Sequence, residues 1–201
     1  MVAATPSTSA PDATIGLVTN TETRLAEACD VLAQTVIAMQ PLYQSTRTSD
    51  YQRGKLETMV GAALWYLPQL SAQLWTGRIS IEALRALRDR TNMAPTHDHE
   101  WPRKVAAREL FTLDWVPIDN PSVEVMQRYR TRYGRFNLVL PAENRRLAPF
   151  QRSDVFTTPE LAYEAASVQL ITTTHSLKTV LTGDSDLITT MLEDAAATVR
   201  P

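Results

Sequence analysis

At 201 residues, with 44% hydrophobic and 21% charged side chains and a formal net charge of −2, the chain has the balance of a folded globular domain. Disorder, which needs fewer apolar residues and a larger net charge, is excluded. No apolar run approaches the ~18 residues of a membrane span, and the opening MVAATPSTSAPDAT lacks the basic and apolar parts of a signal peptide, so no membrane partner and a cytoplasmic chain are expected. The single cysteine, Cys29, excludes an internal disulfide and a cysteine-built zinc site.

Residues 1 to about 17 are Ala, Thr, Ser and Pro without periodicity and read as a disordered tail. From Thr21 or Thr23, Leu25, Cys29, Leu32, Val36 and Met39 recur at helical spacing, with Pro41 near the stop. A second helix is predicted from Ser49 to Trp75, with the stripe Leu56, Val60, Leu64, Leu67, Leu70 and Leu74 and a kink at Pro68, packing on the first as a hairpin. Ser80 then caps a short helix, IEALRALRD. The stretch Thr91–Pro102 is irregular or extended, and it is followed by a helix from Lys104 to about Leu113 and another from Ser122 to Gly134. RFNLVLP is the strongest strand candidate, a short apolar run between Gly134 and Pro141. Helices are expected again from Thr158 or Pro159 through Ile171, from His175 through Leu181, and from Ser185 or Asp186 to the end. No internal repeat is visible, which excludes a solenoid. The fold class expected is α+β and mainly helical: an N-terminal helical region (18–95), a small core at 96–152 and a C-terminal helical region (153–201), forming one folded unit.

Charge is unevenly placed. Fourteen of the 20 Lys and Arg fall between Arg78 and Arg152 against nine acids, so this segment carries +5 and the remainder −7. A basic middle in an acidic frame suits a protein that approaches phosphates, although a solvated arginine-rich surface gives the same count. Within that middle, His97, Asp98 and His99 stand together. An imidazole near neutral pH can take a proton from water, and a carboxylate can hold a divalent cation against a phosphate. Neighbours on a strand point to opposite faces, so Asp98 and His99 converge only if the strand is bent.

Asp98-His99-Glu100-Trp101-Pro102, followed by Asn137-Leu138-Val139-Leu140 and then Glu143-Asn144-Arg145-Arg146, resembles the HNH or His-Me finger endonuclease family. Its members carry a D-H-x-x-P strand, an N-L-x-x-L segment and a terminal His or Asn in a short helix. The likeness covers about residues 96–152 and is closest to the cysteine-free variants, in which an asparagine and a phenylalanine follow, as Asn144 and Phe150 do here. It implies a ββα-metal core and a metal-dependent endonuclease, in which His99 is the general base, Asn137 orients it, and Asp98 and Asn144 bind a divalent cation, with magnesium the default. Glu143 and His97 are further candidate ligands. Arg135, Arg145 and Arg146 would surround the scissile phosphate, with Arg103 and Lys104 as further nucleic-acid contacts. The partner implied is nucleic acid, DNA first, and cutting both strands would favour a homodimer.

Other features have plainer readings. Trp65, Trp75, Trp101, Trp115, Tyr129 and Tyr133 could form a base-stacking platform for single strands, but core packing is the reading preferred for them. His175 fits a helix cap, Asp184 and Asp186 an acidic turn, and Cys29 an inert core thiol. The competing functional class is a helical, non-catalytic regulator or inhibitor module whose basic middle contacts nucleic acid.

Overall fold

The computed structural model describes residues 13–68 and 71–198, so residues 1–12 of the expected tail, and Leu70 of the second stripe, lie outside the described residues. Residues 13–17 are not tail but the start of helix α1 (Ala13–Gln44), which contains Thr21 and Thr23 and runs on past Pro41 in its last turn. Leu25, Cys29, Leu32 and Val36 form its buried stripe, as their spacing predicts, and Tyr43 continues it.

Helix α2 (Asp50–Trp65) is entered through a capping box: Ser49 Oγ accepts from Gln52 N, and the Gln52 side chain accepts from Ser49 N. It ends at Trp65 instead of bending on to Trp75. Pro68 lacks an N–H and disfavours helical geometry in the residue before it, so the chain leaves the helix. After the single turn α3 (Ser71–Leu74) it enters strand β1 (Trp75–Ser80), and Ser80 caps α4 (Ile81–Arg88). Then follow β2 (Thr96–His99), α5 (Arg103–Thr112) and α6 (Pro121–Arg128), which passes into a π-helical turn at Tyr129–Tyr133. Strand β3 (Phe136–Val139), α7 (Pro141–Leu147), α8 (Pro159–Ala165), β4 (Leu170–Thr172), α9 (Leu177–Thr182) and α10 (Ser185–Thr198) complete the order. Asn120, not Ser122, caps α6, with Pro121 at the first helical position, where a missing N–H costs nothing. Ser176, not His175, caps α9, because its short hydroxyl reaches the Thr179 amide.

The fold is α+β and mainly helical, around one four-stranded mixed sheet in the order β2-β3-β1-β4. β1 and β3 run parallel; β2 and β4 pair antiparallel to them at the two edges. β3 is buried on both sides, which is why it reads as a continuous apolar run rather than an alternating one. Phe136 and Leu138 point into the main core, with residues of α1, α2, α4, α5 and α6. Val139 points into a smaller core with Leu147, Tyr163, Ala166 and Val168, under α7 and α8. Each of the first two helices is met chiefly by a later one, α1 by α6 and α2 by α5, so the expected hairpin contact is secondary. β2 and β3 pair although α5 and α6 lie between them in the chain, α7 follows β3 and packs against β2, and β1 and β4 extend the sheet from the flanking segments. No helix among the described residues is long and apolar enough to cross a membrane.

Candidate functional site

The site lies on edge strand β2, whose sequence is THDH. His97 pairs with Leu138, Asp98 with Asn137 and His99 with Phe136 in an unbroken antiparallel register. The bend required for Asp98 and His99 to converge is therefore absent. His97 and His99 face the main core beside Phe136, and Asp98 faces the smaller core and Tyr163. The two sides meet at the strand's free edge, where Asp98 and His99 line one cavity of about 560 Å3. Asn144 of α7, Gln151 and Arg152 line it too, as do Trp65 of α2 and Arg103 and Lys104 at the start of α5.

The His99 ring sits 4.6 Å from the Trp65 ring and 6.3 Å from that of Phe136, tilted against both. Its Nε2 is buried without a hydrogen-bond partner. Burial pushes its pKa down to about 4; the Tyr133 main chain, which favours the charged ring, offsets this only in part, and His97 adds to the lowering. His97 itself lies flat on Phe136 at 3.8 Å, and burial lowers its pKa as well.

Asp98 is 4% exposed. Gln151 Nε2 donates to Oδ1 and Oδ2 at 2.9 and 3.1 Å, and the Tyr163 hydroxyl donates to Oδ2. Burial raises the pKa of this carboxyl, the bonds from Tyr163 and Gln151 pull it down, and the charge of Glu100 pushes it up again. Behind it, Asn137 Nδ2 donates to the Tyr163 hydroxyl at 2.9 Å and Asn137 Oδ1 accepts from Thr76. Asn137 thus holds Tyr163 and, through it, Asp98. It does not orient His99, because strand alternation puts it on the opposite face.

The structure brings Asp98, His99 and Asn144 to one cavity, with Arg103 and Lys104 beside them. Others predicted from the sequence are engaged elsewhere. Glu143 is buried and accepts from Ser80 Oγ at 2.5 Å and Leu140 N at 2.8 Å, tying the start of α7 to that of α4, so it is not a ligand. Arg135 pairs with Glu100 at 3.5 Å, Arg146 donates to the Ala166 carbonyl at 3.3 Å, and Arg145 is exposed on α7; none of the three lines the cavity. Short α7 turns its basic side away from β2 while Asn144 faces inward.

Trp65, Gln151, Arg152 and Tyr163 are the additions. Of these, Trp65 carries a signal in sequence as one of the aromatic residues available for stacking, and Arg152 only as part of the basic middle. Trp115, Tyr129 and Tyr133 are core. Trp101 donates to Glu109 at 3.1 Å and lies under the Arg132 guanidinium at 3.5 Å. Cys29 is fully buried and its thiol is pushed up to about 11, as an inert core residue should be.

The side-chain oxygens at the cavity are those of the Asp98 carboxylate, the Asn144 and Gln151 amides and the Tyr133 and Ser153 hydroxyls. Among the described residues no group of three His, Cys, Asp or Glu forms a metal cage. Comparison with known proteins returns no matching family model, no matching curated protein and no matching solved structure.

Proposed function

We propose that the chain hydrolyses phosphodiester bonds of nucleic acid with the help of a divalent cation. The observation that carries this reading is that Asp98, His99 and Asn144, from two elements far apart in sequence, line one cavity with Arg103, Lys104 and Arg152. His99 is the general base: its ring lines the cavity, burial keeps it neutral, and Nε2 is tied to no other protein group. Arg103 and Lys104 hold the phosphate, the arginine through a planar fork that matches its oxygens, whereas the Arg152 fork is held by Asp154 at 3.1 and 2.7 Å. Asp98 and Asn144 would hold the cation. Three of the roughly four lone-pair sites of the Asp98 carboxylate are taken by Gln151 and Tyr163, so one remains. One carboxylate and one amide suit magnesium, which keeps most of its water and needs few protein ligands. When bound, the cation supplies positive charge against the phosphate in the transition state.

A second reading, a non-catalytic nucleic-acid binder, is favoured by the satisfied state of Asp98, whose bonds to Tyr163 and Gln151 also serve a purely structural purpose. Purified protein incubated with supercoiled plasmid and circular single-stranded DNA, with magnesium or manganese, separates the two. Metal-dependent cutting that disappears in His99→Ala is the expected result. Binding without cutting by the folded wild type would replace the nuclease with the binder.

A further inference from the structure

The cavity is lopsided in its chemistry. Trp65, His99 and His97 form an aromatic wall, and Arg103, Lys104 and Arg152 form a basic one. Trp65 ends α2 with 42% of its surface exposed, although the three other tryptophans are less exposed. Its ring leans on His99 at 4.6 Å and has the Arg103 guanidinium 5.8 Å from its centre. An indole left open between a cation and a proton acceptor, inside a concave site, is suited to a flat, electron-poor ring attached to an anion. A nucleotide has both parts.

The position of the base limits which nucleic acid can use it. His99 lines the cavity and is half-buried there, so a phosphodiester bond must enter the cavity to approach its ring. A cavity of about 560 Å3 has the size of a small-ligand cleft, room for one nucleotide rather than for a duplex. A single strand can enter, with one base splayed onto an aromatic face, as single-strand binders arrange it. We propose that the cavity seats one nucleotide of a single-stranded nucleic acid, its base stacked on Trp65 and its phosphate on Arg103 and Lys104. The proposal rests on the nuclease reading only for the identity of the ligand as nucleic acid; the base contact needs no catalysis.

Binding in EDTA tests it without cleavage. Fluorescence anisotropy at one fixed salt concentration compares labelled single-stranded DNA and RNA of about 12 nucleotides with the same DNA as a duplex. One or both single strands should bind more tightly than the duplex. Trp65→Ala should weaken that binding by about 5- to 150-fold, the worth of one stacked base, while Trp65→Phe keeps most of it. Acrylamide quenching of the unmutated protein adds a readout that does not depend on a variant folding: the single strand should shield tryptophan emission, and Trp65→Phe should remove most of that shielding, leaving the share of Trp101, which also lines the cavity. Equal affinity for duplex and single strand, unchanged binding by folded Trp65→Ala, or no shielding would overturn the proposal. So would a nucleoside monophosphate that binds as tightly as the oligonucleotide, which would make this a small-molecule site. Preserved single-strand binding in a protein that never cuts would leave this inference standing and remove the nuclease reading alone.

Discussion

His99 is set apart from an ordinary surface histidine by what surrounds its ring: Trp65 on one side, Phe136 on another, and a buried Nε2 with no partner. Burial favours the neutral form, and its pKa falls from 6.5 to about 4. Between those values the unfolded chain binds a proton that the folded chain does not, so this residue costs stability as pH falls from 6.5 towards 4 and has no such effect above 6.5. In an NMR titration one of the three histidines should therefore show a midpoint near 4, and His99→Gln should remove that signal. The acid limb of kcat/KM for cleavage should follow the same group and lie well below 6.5. A His99 midpoint at 6.5 would mean that the ring is open to water. That Asp98 and Asn144 line one cavity was legible from the likeness that groups them. Tyr163 and Gln151 were not, since a tyrosine in a helical pattern and a glutamine in a loop acquire meaning only when the fold carries them against Asp98.

Among the elements, α1, α4, α5 and β3 were legible because each carries a complete local signal: a buried stripe, a serine cap, or a short apolar run between breakers. β1 and β4 were hidden. WTGRIS continues a helical stripe through Leu74, and Gly77, at φ 79° in the left-handed region, marks an irregularity in the β1–β3 register that only the pairing explains. β4 is hidden by the way α8 ends. Val168 N donates to the Tyr163 carbonyl and Ser167 N to that of Glu164, a Schellman closure with Val168 packed near Tyr163 in the smaller core. Its left-handed residue is Ser167, at φ 54°, where sequence reading looks for glycine. The strain is testable. Ser167→Gly should raise stability by about 0.5–1 kcal/mol, net of the added freedom of the unfolded chain, and Tm by about 1–4 °C. A lower Tm would show that the serine side chain contributes more than its backbone costs.

Over the whole molecule, the sheet joins the three segments that the sequence divides. β1 comes from the first, β2 and β3 from the second and β4 from the third, so the β2–β3 pair is one side of a larger layer. This placement builds the cavity. The main core supports His99 through Phe136 and α2, the smaller core holds Asp98 through Tyr163 and α8, and the edge of β2 is where the two supports meet. Long-range pairing of this kind leaves no periodic trace in sequence, whereas the basic middle does, because charge can be counted without knowing the fold. The central claim is that residues from both sides of β2 act as one site. It is tested most directly by single-turnover cleavage of a single-stranded oligonucleotide by the wild type, His99→Ala, Asn144→Ala and the double variant. Each single change should slow cleavage by about 100-fold or more, and the double variant should be no slower than the worse single one, because groups that work as a unit are lost together. Losses that multiply, or single variants that cut as fast as the wild type, would contradict a shared site.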